Sequence, residues 1–112
     1  MIARIWHGWT TPGNAGAYES LLRDEIFVGI ENRNIQGLRS IRLLRRSLAD
    51  EVEFVTIMEF DSLESVVEFA GGDYEAAVVP PVARAVLSRF DHRSQHYEVR
   101  VRADWGPEPP CR

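Results

Sequence analysis

Three residues, Ala49-Asp50-Glu51, separate "LRSIRLLRRSL" at 38–48 from "VEFVTIMEF" at 52–60. Both runs have the apolar, partly alternating character of β-strands. A connection this short can only turn the chain back beside itself, so the two runs must form an antiparallel hairpin. Everything else in the chain has to be arranged around that hairpin.

Residues 2–9, "IARIWHGW", read as an earlier strand, followed by a turn over 10–14 with Asn14 as the expected N-cap. From Ala15 the apolar residues Tyr18, Leu21, Leu22, Ile26 and Ile30 recur at spacings that give one helical stripe, closed by Asn34 and Gly37. After the hairpin, Asp61 is the expected cap of a second helix, with Glu64 completing a capping box and Leu63, Val66, Val67 and Ala70 facing inward. The stretch "FAGGDYEAAVVPP" at 69–81 then breaks twice. Gly71-Gly72 end the helix, a helical pattern resumes around Tyr74, and Pro80-Pro81 start another helix over 82–90. Residues 94–102, "SQHYEVRVR", form the last strand.

The order is strand-helix-strand, twice. Two such units make a four-stranded antiparallel sheet with both helices on one face: an α+β, ferredoxin-like βαββαβ domain over 1–102, with strands in the order four-one-three-two. A Pro-rich C-terminal tail, 103–112, is ordered only where it docks. Strand two carries Ile41 and Leu43 against Leu44, and strand three carries Phe54, Met58 and Phe60 against Val55 and Ile57. A sheet apolar on both faces is covered on both. The helices cover one, and a second copy of the sheet is the simplest cover for the other, so a face-to-face homodimer is expected.

Composition removes whole classes of function. A net charge of −4 opposes nucleic acid as the main partner. The run Arg39, Arg42, Arg45, Arg46 does not reverse this, because strand alternation puts Arg42 and Arg46 on one face and Arg39 and Arg45 on the other. Pairing with Glu51 or Glu53 across a dimer is the better expectation. All 13 basic residues are arginine, which excludes Schiff-base, phosphate-loop and Ser-Lys chemistry. No run approaches the ~20 apolar residues of a membrane span, and Arg4, His7 and the turn interrupt any leader-like stretch. No membrane partner is expected, and a cytoplasmic location is the default. A single cysteine, Cys111, allows no intrachain disulfide and no cysteine-rich metal site. His92 and His96, if extended, stand ~13 Å apart, too far to share one zinc, so no metal site is assigned.

The strand "IARIWHGWT", the segment "VEFVTIMEFDSLESV", "DYEAAVVPP" and the closing "HYEV" together resemble the antibiotic-biosynthesis-monooxygenase family of the dimeric α+β barrel superfamily, over roughly residues 1 to 101. The resemblance implies one ligand cavity per subunit, between the helices and the helix-facing side of the sheet. Some members oxygenate aromatic or quinol substrates without metal or flavin, and others degrade haem. The positions comparable to the haem-degrading pattern are His7, Met58 and Val78. Valine cannot ligate iron, so haem degradation is not expected unless His7, His92 or His96 takes over ligation. No cofactor is expected.

Within that frame His7, between Trp6 and Trp9, is the candidate general base, with a hydrogen-bonded histidine at a dimer interface or loop as the alternative. Strand four borders strand one, so His96 or Tyr97 could neighbour His7, and one of the two must share its face. Tyr74 would orient a phenolic substrate; alternatively it packs its ring on the corner. Trp6, Trp9, Met58 and Phe69 are candidate cavity walls, and Arg84 could meet an anionic substrate or simply a surface carboxylate. The expected function is a cofactor-independent monooxygenase, or a related small-molecule enzyme, acting on an aromatic or enolisable substrate. An electron-rich phenolate can reduce dioxygen itself, given a dry cavity, a base and donors for the reduced oxygen. The alternative is a non-catalytic dimeric ligand-binding or stress-related protein of the same fold.

Overall fold

The computed structural model describes residues 1–106, so Cys111 and the end of the Pro-rich tail lie outside the described residues. The hairpin is present. β2 (Leu38–Ser47) and β3 (Val52–Phe60) pair antiparallel from Ser47 opposite Val52 to Leu38 opposite Phe60, with one irregularity between Leu38 and Ser40. β1 (Ile2–Thr10) pairs with the other edge of β3, Ile2 opposite Phe60 and Thr10 opposite Val52.

The last strand comes in two pieces. β4 (Arg89–Phe90) pairs with Trp9 and Gly8, and β5 (Gln95–Glu98) pairs with residues 2–5, both on the free edge of β1. The order four-one-three-two holds, with the outer position shared. The expected helix over 82–90 shrinks to one turn, because the unpaired backbone of Gly8-Trp9 draws residues 89–90 into the sheet.

Among the described residues, three helices of four residues or more cover one face. The first, α1, spans 15–32 in three continuous segments: α-helical Ala15–Leu21, a π turn at Leu22–Ile26, and α-helical Phe27–Asn32. The π turn accommodates an extra residue, so Ile26 and Phe27 both line the same cavity as Tyr18 and Leu22. The chain leaves α1 through Asn34 at φ +54° and Gly37 at φ +86°. α2 is Leu63–Ala70 and α3 is Pro81–Arg84.

The caps differ from expectation by one residue. Ser62, not Asp61, caps α2, its hydroxyl accepting from the backbone N–H of Ser65. Asp61 instead takes a forked pair of hydrogen bonds from Arg39, 2.8 Å at Nε. At the start of α1 it is Thr11, not Asn14, whose side chain makes the capping contact. Gly71, at φ +93°, ends α2 as expected. No helix resumes at Tyr74: residues 71–80 form a loop that pairs through Ala76 with Arg93. Three arginines of the run find partners inside the chain, Arg39 on Asp61, Arg45 on Glu19 and Arg46 on Glu53.

Strand alternation sorts the sheet into two faces. Arg4, Trp6, Phe54, Thr56, Met58 and Phe60 face the helices, while Ile5, His7, Trp9, Val55 and Ile57 face away. Two apolar clusters build the core. One gathers Tyr18, Leu22, Phe54 and Ala83, the other Ile35, Met58, Phe60, Val66 and Phe69.

Candidate functional site

A cavity of about 70 Å³ lies where the two clusters meet, with α1 on one side and β1 and β3 on the other. Its walls are Tyr18, Leu22, Phe27, Met58 and Phe69, and Val78 to Pro80 stand at its edge. In the same measure one water needs ~10–15 Å³, so the space corresponds to roughly five to seven waters. That is room for a single ring. Trp6 forms part of the wall and rests on Gly8, where a methyl group would stand 2.8 Å from the indole ring.

One charge enters this apolar space. Arg4 is 3% exposed, yet it lines the cavity. Its Nη1 donates to the Tyr74 carbonyl at 2.5 Å and its Nη2 to the Ala76 carbonyl at 3.2 Å, tying the 71–80 loop to β1. The guanidinium lies 5.4 Å from the centre of the Phe69 ring. Burial lowers its pKa to about 10, which leaves it charged at neutral pH. Among the described residues no ion pair reaches Arg4. A buried cation is normally paired with a carboxylate; this one is held by two carbonyl dipoles, an aromatic ring and a histidine nitrogen.

His96 is its third contact, Nε2 lying 3.0 Å from Nη1. An arginine can only donate, so that nitrogen must be the acceptor and the ring proton sits on Nδ1. Burial first, and then the Arg4 charge, hold the His96 pKa below its ordinary value, in agreement with a neutral ring. Tyr74 meets the His96 ring edge-on at 5.2 Å. Neither ring is part of the cavity wall. Tyr74 contributes its backbone carbonyl where its phenol was expected.

Ser94 is the second polar group at the cavity. It is 4% exposed, and its Oγ is buried without a hydrogen-bond partner among the described residues. The break between β4 and β5 puts it there. Residues 91–94 bulge from the sheet edge toward the 71–80 loop, with Ala77 N–H on the His92 carbonyl and Ser94 N–H on the Glu75 carbonyl. Thr56 and Tyr18 complete the polar lining, and burial raises the Tyr18 phenol well above its usual range, so it stays protonated.

The residues singled out from sequence divide between the two faces. Trp6, Met58 and Phe69 line the cavity. His7 sits on the opposite face, its Nδ1 3.1 Å from Asp91 Oδ2 and its ring stacked on Trp9. Trp9 in turn lies under Arg89, 3.9 Å from ring centre to guanidinium. Tyr97 is exposed on that same face, opposite Ala3, while His96 pairs with Arg4. The expected constellation of His7, Tyr74 and His96 is therefore not assembled. Arg84 also lies outside the cavity: it donates to the Val79 carbonyl and covers Phe90. The cavity cation is Arg4, which the sequence reading passed over although it shares the strand face of Trp6. Ser94 carried no such signal, since only the split edge strand turns it inward.

No family model and no curated protein matches this sequence. A solved structure does match the fold: a Bacillus cereus protein described as "Putative Antibiotic Biosythesis Monooxygenase". The two superpose over 96% of this chain and 98% of that one, with a TM-score of 0.65 and 11% sequence identity. The likeness at that identity is one of fold.

Proposed function

We propose that the protein is a monooxygenase-type enzyme acting on a single-ring, electron-rich phenolic or enolisable substrate in the Arg4 cavity. The observation that carries the reading is a buried arginine without a carboxylate partner beside an apolar space of one-ring size. The monooxygenase-like fold supports the same reaction class.

Arg4 takes the part for which the sequence suggested His7. By favouring the anion of the substrate, it lowers the substrate's pKa, so the phenol proton can pass to solvent without a separate base in the cavity. A hydroquinone anion then passes one electron to dioxygen, giving a semiquinone radical and superoxide. The two couple at a ring carbon, and the resulting peroxide loses water. One oxygen atom stays on the ring, the other leaves as water with two substrate hydrogens, and the product is a hydroxyquinone. Apolar walls keep bulk water from the reduced oxygen. The homodimer belongs to this reading too, with Ile5, Val55, Ile57 and Leu44 of the open face as the buried surface.

The test is dioxygen uptake with a graded panel of hydroquinones and anthrones. One-ring substrates should consume dioxygen above the buffer blank and three-ring substrates should not. Uptake equal to the blank for every member sinks the reading. The second reading, binding without chemistry, is favoured by one observation: neither His7 nor the His96 ring lines the cavity. Ligand binding without uptake would establish it.

A further inference from the structure

We propose that the Arg4–Ser94 end of the cavity is an anion-recognition site, and that its ligand is a one-ring arene monoanion, carboxylate or phenolate, bound already ionised. This rests on the cavity being a small-molecule site and is independent of any oxygen chemistry.

The argument begins with the guanidinium's donors. Arginine has five N–H groups. The contacts to Tyr74 O, Ala76 O and His96 Nε2 use three, all of them on the two terminal nitrogens. Nε–H and one Nη2–H are left without a partner among the described residues, two charged donors available to a carboxylate or a ring oxyanion. Arg4 is 3% exposed and lines the cavity, so a ligand reaches these donors from the cavity.

Ser94 points independently to the same kind of ligand. Its hydroxyl is buried and unpartnered in the cavity wall. Such a group costs stability unless something accepts its proton or donates to it. An anion that takes two bonds from Arg4 and one from Ser94 satisfies both at once. Neutral His96 leaves the Arg4 charge uncompensated, and the ring of the ligand would lie against Met58, Phe69 and Phe27. The cavity has room for one such ring.

Benzoate tests this, because it is ionised at neutral pH and benzamide is its neutral isostere. Calorimetry on the unmodified protein at pH 7.5 should show benzoate binding at least tenfold more tightly than benzamide. Ser94→Ala should weaken benzoate about three- to tenfold, and Arg4→Lys, which keeps the charge and loses the fork, at least tenfold. Equal affinity for benzoate and benzamide overturns the proposal, as does benzoate binding untouched by either substitution. Failure of either kind is separable from the oxygenase reading. Hydroquinone uptake without benzoate preference removes this inference alone, and benzoate preference without uptake removes the oxygenase alone.

Discussion

Arg4 Nη1 lies 3.0 Å from Nε2 of His96, so a permanent cation is hydrogen-bonded to a histidine that has to remain neutral. Protonating His96 would set two positive groups face to face inside the sheet. Folding therefore depends on pH through this pair. In the folded state burial and Arg4 depress the His96 pKa below 6.5, and unfolding releases it. The contribution is complete above about pH 6.5 and is lost as pH falls toward the depressed folded value. The urea midpoint should drop between pH 7.5 and 5.5 more steeply in the unmodified protein than in His96→Gln. Equal slopes would show that the pair does not titrate as described.

Arg4→Met should cost about 1–3 kcal/mol of stability, because it strips the Tyr74 and Ala76 carbonyls of their donor while also removing a desolvated charge. Hydrogen exchange should rise in residues 73–77 before it rises in the hairpin. A variant as stable as the parent would mean that the loop is held by its pairing with 91–94 alone.

His7→Ala is expected to leave hydroquinone oxidation within about twofold of the parent, since His7 faces away from the cavity. Its half-buried pair with Asp91 should be worth less than about 1 kcal/mol in urea. A tenfold loss of kcat/KM with unchanged stability would return His7 to the active site.

Gly37 combines φ +86° with a site where a Cβ would stand 2.1 Å from Ser65 Oγ. Gly37→Ala should destabilise by at least about 2 kcal/mol, through the left-handed backbone and displacement of the α2 cap residues. A shift in urea midpoint no larger than that of Gly16→Ala, where nothing lies within 4 Å, would contradict this.

Ile57 stands opposite Ile5 at the centre of the uncovered sheet face. If two copies bury that face, Ile57→Arg should convert a dimer to a monomer in light scattering at micromolar concentration, with near-native circular dichroism. A parent protein that is already monomeric removes the dimer and with it the expected cover for this face.

What the chain determined by itself is its topology. The three-residue turn forces the hairpin, the helical stripe beginning at Ala15 and the apolar run before Gly71 supply the covering elements, and their order leaves one four-position sheet. These are local signals, periodicity and turn length, and they survive in any context. Strand alternation also places Arg4 and Trp6 on one face and His7 and Trp9 on the other, so the expected grouping of Trp6, His7 and Trp9 in one cavity ran against it. It could not say which group faced the helices, because that depends on where the helices pack.

Only the tertiary structure decided the site. Gly8-Trp9 captured residues 89–90, split the edge strand, and turned Ser94 inward. The same bulge holds the 71–80 loop, whose carbonyls hold Arg4. A buried cation looks in sequence like any surface arginine, since its burial is set by elements 70 and 90 residues away. The cavity's charge is for that reason a property of the assembled fold.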